Sequence, residues 1–352
     1  MTRPNCKVYV DTNSNHLQQV YTGLALLHRQ GKINLKLEFD KSVRECVVPF
    51  SVQSNILHMD VDRKKICFDM ADGPELSESA LQRSDVYFKR SFNSRFVRPD
   101  LISKVKPYGL NYLVYPNGFD LFGFRRCARF YKTPNWFKEV IKQADFLGKM
   151  HYKVSTSSLN AAAVMREDPK VLFLARLWDI NSDSYFEVDE AYSQQRRDIN
   201  EQRAKCITLL REAFGSHFTG GLLATDFALK EHPELVVKST NLTSKQNYIS
   251  ALKDHDICVA STGLHGSIGW KFGEYIATSK AIVAETNENE VPKLQVNKHY
   301  LEFNSAHECV ESVLYLKNND DFRFQMMCDN QQYYETSLRP DRLLSNCLDQ
   351  VL

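Results

Sequence analysis

The sequence has no long apolar run, no closely spaced pair of cysteines and almost no excess of charge of either sign. Nowhere do about 18 uncharged apolar residues follow one another, which argues against a membrane-spanning helix. Its 45 lysines and arginines against 43 aspartates and glutamates give a formal net charge of +2. Proteins that bind nucleic acid through counterion release need a strong basic excess, so we expect no nucleic-acid partner and a small, nearly neutral ligand instead.

The nine cysteines form no Cys-x-x-Cys pair and show no zinc-ligand spacing. Their odd number and scattered positions predict reduced core thiols rather than disulfides or metal ligands. The first residues contain no apolar stretch of the kind found in secretory signal peptides and run directly into a predicted strand. Together these features predict a cytoplasmic protein without a zinc site.

The chain has 352 residues, of which 43% are apolar and 25% charged, as expected of a soluble protein with more than one core. Apolar periodicity alternates between that of strands and that of helices, which indicates an α/β fold. We predict an N-terminal domain over 1–155, a linker over 156–169 and a C-terminal domain over 170–335. A helical tail over 336–352 is able to cross back to the first domain.

Apolar runs and their bounding turns predict the individual elements. Strands are predicted at 7–10, 33–39, 56–61, 66–68, 86–88, 110–115, 171–175, 218–223, 235–237, 256–260, 281–284 and 300–303. Helices are predicted at 17–30, 77–82, 136–147, 190–214, 245–253, 267–277 and 306–316, with more helix after 320. Two doubly wound, Rossmann-like domains of this kind are expected to face each other across a cleft at the carboxyl ends of their strands.

The most informative stretch is a buried strand, a glycine-bearing turn, a helix predicted from Ser267 to Ala277, and another buried strand. In the turn, Gly263, Gly266 and Gly269 allow backbone amides to approach a ligand. The helix that follows directs its positive end to the same place, which suits a pyrophosphate. Lys271 and Glu274, spaced i,i+3, share a face with Ser267 and offer a cation for phosphate and a carboxylate for paired hydroxyls.

This stretch resembles the donor-binding segment of the GT-B glycosyltransferases, in which a helix ending in Glu-Tyr-(Met or Ile)-Ala precedes a strand such as Pro-Ile-Val-Ala. The matching residues are Lys271, Glu274 to Ala277, and Ala281-Ile282-Val283-Ala284. The resemblance covers about the second half of the chain. It implies that Glu274 holds the ribose hydroxyls of a nucleotide-sugar donor and that Arg176, after the strand at 171–175, faces the donor phosphates.

The resemblance also bears on further donor-side residues. Many retaining members carry an acid eight residues before the glutamate, where this sequence has Gly266 next to His265, so inversion is slightly favoured. Glu285, at the end of its strand, is a candidate for hydrogen bonds to the donor sugar. His232 lies in a His-Pro pair similar to an element of bacterial sialyltransferases and is a secondary donor-binding candidate.

On the acceptor side, His16 lies where the turn after the first strand meets the first helix. Its ordinary pKa near neutrality suits removal of a proton from an acceptor hydroxyl, and inverting GT-B enzymes often keep a base histidine in this loop. The alternative is that Asn15 and His16 only cap the helix. Asp11 is expected to orient the imidazole or to be the base itself.

Lys89 and Arg90 follow the strand at 86–88 and are candidates for the acceptor side, with solvated loop charge as the alternative. The segment from Phe122 to Trp136 is rich in arginines and aromatic residues. It either contacts anionic lipid, which would bring a lipid-linked acceptor to the enzyme, or places its aromatic residues in the core and its arginines in solvent.

These features together predict a metal-independent glycosyltransferase that moves a sugar from a nucleotide-diphosphate sugar to a hydroxyl of a sugar, lipid-linked or small-molecule acceptor. This interpretation implies no metal site and no cofactor, because the nucleotide sugar is a substrate. Arg176, Lys271 and the helix amides would offset charge on the leaving diphosphate. A sugar-nucleotide epimerase or a phosphorylase on the same fold is the alternative among enzymes. A nonenzymatic scaffold subunit is the alternative from another class.

Overall fold

A computed structural model describes residues 3–39, 55–129, 137, 141, 153–181, 189–238, 242 and 244–352. The chain divides into two compact units. Unit 1 comprises Met1–Ser158, Asn289–Pro292 and Glu335–Leu352, and unit 2 comprises Leu159–Glu288 and Lys293–Tyr334. Both are α/β, which confirms the predicted fold class. The division after residue 158 falls inside the predicted linker.

The elements of the described residues follow in chain order. The strands are β1 Asn5–Val10, β2 Asn34–Phe39, β3 Ile56–Val61, β4 Lys64–Asp69, β5 Val86–Lys89, β6 Val105–Pro107, β7 Val171–Ala175, β8 Phe218–Leu222, β9 Ile257–Ala260, β10 Ala281–Glu285 and β11 Leu301–Phe303. The α-helices are α1 Gln18–Arg29, α2 Glu78–Gln82, α3 Leu121–Arg129, α4 Thr156–Leu159, α5 Glu190–Phe214, α6 Asp226–Glu231, α7 Lys245–Asp254, α8 Trp270–Ala277, α9 Ala306–Asn318, α10 Asp320–Tyr333 and α11 Pro340–Leu348.

Unit 1 contains a mixed sheet in the order β2-β1-β3-β4-β5-β6. β3 runs antiparallel to both β1 and β4, while the other neighbouring pairs are parallel. The predicted strand at 110–115 is wrong: this apolar run is buried chain outside the regular strands, with one isolated bridge at Tyr115, and β6 continues the sheet instead. A buried apolar run therefore indicated burial correctly but not strand pairing.

Helices α1 and α11 pack against each other over the core of unit 1. The chain thus returns to unit 1 at its carboxyl end, which is the crossing back that the sequence allows for the helical tail. Gly23 lies at their closest approach, where an added Cβ would overlap the carbonyl oxygen of Pro340 and lie 2.7 Å from Leu344 Cδ2. Only a residue without a side chain permits this approach.

Unit 2 contains a parallel sheet in the order β11-β10-β9-β7-β8. β7 is buried at every position, as its continuous apolar sequence predicts for a parallel strand covered on both faces. The order reverses between β7 and β9, which makes that pair the topological switch point of the sheet. The predicted strand at 235–237 is wrong, because a short 3₁₀ turn, Pro233–Leu235, and a single bridge at Val236 occupy this place.

The long helix α5 covers the sheet of unit 2. Asp189 caps its first turn by accepting a hydrogen bond from the Tyr192 amide at 2.7 Å, and Gly215, with φ +50°, ends it. Its apolar stripe packs into the core, as predicted. The helix also buries Arg196 and Arg203, which an amphipathic pattern assigns to solvent.

Within the described ranges, no helix combines the length and apolar character needed to cross a membrane. Eight cysteines lie in these ranges, all with free thiols, and seven of them are buried, in agreement with predicted core positions. The predicted helix at 136–147 lies almost wholly outside the described residues.

Candidate functional site

The candidate site lies in unit 2, at the carboxyl ends of β7 and β9. The two strands pair at their first residues, Val171 with Ile257 and Leu172 with Cys258. Arg176 follows β7, and Ser261 follows β9. Open α/β sheets bind ligands at such a switch point, because the loops after the two strands diverge there.

A buried arginine on α5 connects the two strand ends. Arg203 is 7% exposed. Its Nε donates to Ser261 Oγ at 2.9 Å, its Nη2 donates to the Thr262 carbonyl at 2.6 Å, and its Nη1 donates to the Arg176 carbonyl. Burial lowers the pKa of Arg203 to about 10, against the opposing effect of Glu285, so the guanidinium is charged at neutral pH. No pattern in the sequence singles out Arg203, because its partners are mostly backbone carbonyls.

Glu285, at the end of β10, holds the same loop from the other side. Its Oε2 accepts hydrogen bonds from the Thr262 amide at 2.8 Å and from Thr262 Oγ1 at 2.9 Å. The predicted role of Glu285 toward a donor sugar therefore competes with a contact inside the protein. Thr262 is tied to Glu285 and to Arg203 at once.

The loop over 263–269 folds back on itself. Thr262 bridges to Ile268, and the Gly263 amide donates to the Ser267 carbonyl at 2.7 Å. A Cβ at Gly263 would lie 2.6 Å from Ser267 Oγ, which explains the glycine. α8 begins at Trp270, so the predicted helix start at Ser267 is wrong: Ser267 is buried inside the loop.

His265 and Gly266 contact other parts of unit 2. His265 has φ +58°, its ring stacks on Tyr192 with centroids 5.6 Å apart, and its amide donates to Gln195 Oε1 at 3.2 Å. The carbonyl of Gly266, which has φ +66°, accepts a hydrogen bond from Asn287. The His265 amide is thus engaged within the protein, and a donor contact by either residue stays a prediction.

Lys271 and Glu274 share one half-buried face of α8, as predicted. Tyr248 on α7 donates its hydroxyl to Glu274 Oε2 at 2.7 Å, a contact that the sequence does not reveal. Burial raises the pKa of Glu274, and the Tyr248 hydrogen bond and Lys271 partly oppose this shift. Burial also lowers the pKa of Lys271, with Arg203 acting in the same direction and Glu274 against it. The charges of Glu274 and Arg203 thus act on Lys271 in opposite directions.

Arg176 supplies an exposed cation at the end of β7. Its guanidinium lies 5.1 Å from the centroid of the Trp178 ring. The Asn200 side chain fixes the Trp178 backbone by accepting from its amide at 2.9 Å and donating to its carbonyl at 2.7 Å. The cation thus lies beside an aromatic ring whose backbone Asn200 holds.

His232 is not part of this cluster among the described residues. It ends α6, and its Nδ1 lies 3.4 Å from Glu234 Oε1. Its secondary donor-binding role stays a prediction without support from a contact.

In unit 1, His16 lies against a charged pair. Its Nδ1 is 3.2 Å from Arg90 Nη1 and 3.8 Å from Asp72 Oδ1, and Arg90 also pairs with Asp72. A guanidinium only donates, so Nδ1 accepts and the ring proton of this neutral tautomer is on Nε2. Burial is the main cause that lowers the pKa of His16, with Asp72 opposing and Arg90 adding. Ser14, rather than Asn15 and His16 as the alternative prediction has it, caps this turn by accepting from the His16 amide at 3.2 Å.

Asp11 is exposed and lines a cavity of about 510 Å³ in unit 1, together with Tyr9, His58, Asp60 and Arg83 among others. Burial lowers the pKa of His58, and Asp11 acts in the opposite direction. His58 is therefore a second histidine of interest that the sequence pattern did not single out.

Lys89 does not line a surface. It is 1% exposed, and its Nζ is 3.0 Å from Asp69 Oδ2, which also accepts from the Tyr87 hydroxyl. Lys89 and Asp69 are registered partners on β5 and β4, so the pair lies inside unit 1. The predicted acceptor-side role of Lys89 is therefore corrected to a buried ion pair. The side chain of Arg90 is 5% exposed and is engaged with Asp72 and His16.

The basic and aromatic segment is described only up to residue 129. There, Arg126 is buried, with its guanidinium 3.8 Å from the Tyr21 ring and its Nη2 donating to Gln18 Oε1 at 2.5 Å. This arginine packs inside unit 1 and does not face lipid. Membrane contact by the segment stays a prediction.

Among the described residues, no group of three or more His, Cys, Asp or Glu side chains is arranged to hold a metal ion. The sequence contains Asp-x-Asp at 60–62 and 254–256. Asp256 is fully buried and pairs with Arg166 at 2.6 Å, and Asp60 accepts from Tyr9 at 2.6 Å.

No protein-family model and no curated protein matches the chain. Solved structures that resemble it include Alr3699/HepE from Anabaena in complex with UDP, at 8% identity and a TM-score of 0.42 over 97% of this chain and 98% of that one. A glycosyltransferase from Rickettsia africae ESF-5 has 10% identity and a TM-score of 0.40, over 95% of this chain and 80% of that one. The C-terminal domain of the group 1 glycosyl transferase LpcC from Francisella tularensis has 13% identity and a TM-score of 0.37, over 52% of this chain and 97% of that one. With TM-scores below 0.5, these similarities do not identify the fold or the function of this chain.

Proposed function

We propose that the chain is a glycosyltransferase of GT-B architecture that transfers a sugar from a nucleotide-diphosphate donor to an acceptor hydroxyl. The observation that carries this proposal is the cluster at the switch point of unit 2. There, Arg176 is an exposed cation directly after β7, and Lys271 and Glu274 are a half-buried cation and carboxylate on α8, the helix that follows the loop after β9. This set of groups fits a diphosphate attached to a ribose.

The diphosphate would be held by charge and by backbone amides. Gly269 is the N-cap of α8 and provides no side-chain cap, and its carbonyl accepts a hydrogen bond from the Phe272 amide at 3.1 Å. The amides at the start of α8 would add the positive end of the helix dipole to the charges of Arg176 and Lys271. These groups would offset the charge that grows on the leaving diphosphate, so the proposed transfer needs no divalent ion.

Glu274 would hold the ribose hydroxyls. The Tyr248 hydroxyl fixes its Oε2, which orients the carboxylate before a ligand arrives. The raised pKa of Glu274 reflects its burial and is the cost of keeping a carboxylate in this position. Paired hydroxyls would compensate for that cost by donating to the charged form.

For acceptor activation in an inverting reaction, we favour Asp11 over His16 as the base. Asp11 is exposed in the cavity that it shares with His58. His16 Nδ1 already accepts from Arg90, which leaves its protonated Nε2 as a donor rather than a base.

The test is binding of nucleoside diphosphates, measured as thermal shifts and by calorimetry with UDP, GDP, ADP and CDP and with the matching nucleosides. A ligand present at 100 times its Kd stabilises a fold by about 2.7 kcal/mol, so a specific diphosphate gives a clear shift. Glu274→Gln is expected to weaken that binding about 10- to 100-fold, because it removes charged hydrogen bonds. Glu212→Gln, at an exposed position on α5, is the matched control and is expected to bind as wild type does.

Equal shifts from diphosphates and nucleosides would contradict the pyrophosphate site. Unchanged binding by Glu274→Gln would remove the ribose role. A time course with the sugar nucleotide alone separates transfer from epimerisation, since an epimerase converts its substrate without any acceptor.

A further inference from the structure

Arg203 is connected to the ends of three strands of unit 2, directly to the loops after β7 and β9 and through Thr262 to the end of β10. It binds the Arg176 carbonyl after β7 and the Ser261 hydroxyl and Thr262 carbonyl after β9. Through Thr262 it is linked to Glu285 at the end of β10. The amide, hydroxyl and carbonyl of Thr262 are all committed to these two side chains.

We propose that Arg203 is a positioning residue that, with Glu285, fixes Arg176 and the loop over 263–269 at the spacing a diphosphate requires. The inference rests on the proposed function for the identity of the ligand. In this role Arg203 does not contact the ligand. It acts through the backbone of Arg176 and Thr262, from which the exposed cation and the glycine loop extend.

The geometry requires an arginine. Three different nitrogens of one planar guanidinium serve three acceptors, and a lysine ammonium at the end of a flexible chain does not reproduce this fork. Arg203→Lys therefore keeps the charge and changes the geometry. A purely electrostatic role predicts little effect of this variant, whereas positioning predicts a large one.

The same helix provides a matched control. Arg211 also donates to three acceptors, here all backbone carbonyls: those of Glu234 at 2.8 Å, Gly220 at 3.2 Å and Leu235 at 2.9 Å. These partners belong to β8 and the turn before residue 236, not to the loops after β7 and β9. Arg203 and Arg211 thus perform the same kind of bonding on one helix, and only Arg203 bonds to the candidate site.

The experiment compares Arg203→Lys and Arg211→Lys in the full chain. Calorimetry with UDP, GDP, ADP and CDP measures affinity, and hydrogen exchange measured by mass spectrometry follows residues 176–178 and 261–268. We expect Arg203→Lys to weaken diphosphate binding at least about 10-fold and to speed exchange in both segments. Arg211→Lys is expected to speed exchange around 220 and 235 and to leave diphosphate affinity unchanged.

Ser261→Ala is a milder variant for the case that Arg203→Lys folds poorly. It removes only the partner of Nε and leaves the two carbonyl contacts. A smaller loss of diphosphate affinity in Ser261→Ala than in Arg203→Lys supports the positioning role. If both variants keep wild-type affinity and wild-type hydrogen exchange, the positioning role is overturned.

Failure of the two proposals can be told apart. If wild type binds none of the diphosphates, the proposed function fails, while the exchange data without ligand still decide whether Arg203 orders the two loops. If Arg203→Lys and Arg211→Lys weaken diphosphate binding equally, Arg203 is only a general stabilising residue and positioning is overturned.

Discussion

Replacement of Gly23 by alanine tests the packing of α11 on α1. Two effects oppose each other. Alanine in a helix interior is favoured over glycine by about 1 kcal/mol. Its Cβ, however, would overlap the Pro340 carbonyl oxygen and lie 2.7 and 2.8 Å from the Leu344 side chain. Overpacking typically costs about 1–3 kcal/mol, and because a backbone oxygen cannot rotate away, we expect α11 to shift at a cost of about 2–3 kcal/mol. Less the gain of about 1 kcal/mol in helix propensity, the net loss is about 1–2 kcal/mol.

Urea unfolding followed by circular dichroism measures this loss, and hydrogen exchange over 340–348 locates it. A thermal midpoint would fall by about 2–4 °C for each kcal/mol in a domain of 150–250 residues. Gly73→Ala is the control, since its Cβ meets only the end of the flexible Glu75 side chain. If Gly23→Ala is as stable as wild type or more so, helix propensity outweighs the contact with Pro340 and the argument from close packing is refuted.

Three further variants probe other features. Lys89→Met leaves the Asp69 carboxylate buried without its cation, so we expect the free energy of unfolding in urea to fall by about 3–5 kcal/mol. Adding Asp69→Asn is expected to restore most of this stability. A double variant as unstable as Lys89→Met would contradict the ion pair. Burial raises the pKa of Glu274, so its charged form lowers the stability of the fold at any pH above the ordinary glutamate pKa. Glu274→Gln is therefore expected to raise the melting temperature at pH 7, and this gain shrinks as the pH falls toward 4.5. A gain in melting temperature that does not change with pH speaks against this. Gly263→Ala places a Cβ 2.6 Å from Ser267 Oγ and is expected to weaken diphosphate binding, measured by calorimetry. Adding Ser267→Ala removes this hydroxyl and is expected to restore part of the affinity. If it restores none, another contact of the new Cβ dominates.

The sequence predicted unit 2 well where local pattern and tertiary role agree. β7 is a continuous apolar run and is buried throughout, and the i,i+3 spacing of Lys271 and Glu274 places both on one face of α8. The start of α8 was misplaced because the bridge between Thr262 and Ile268 holds Ser267 in the loop, and no local signal distinguishes that loop from a first helical turn.

Long-range partners account for most of the remaining differences. Lys89 follows an apolar run like an exposed charge, but the register of β4 and β5 places it beside Asp69. Arg203 lies in a stretch of polar residues typical of a solvated helix, yet it is buried because backbone carbonyls receive it. The pattern of residues along the chain predicts neither the register of two paired strands nor which side chain bonds to a backbone carbonyl.

The packing of α11 on α1 also bears on how the protein is synthesised. Leu343, Leu344, Cys347 and Leu348 complete the core of unit 1, so the ribosome releases the residues up to 158 long before the helix that covers them. During that interval the nascent chain would present an uncovered apolar strip on α1, a surface for chaperones or for aggregation. A circular permutation that places α11 ahead of β1 would make this unit nearly contiguous and shorten its exposure.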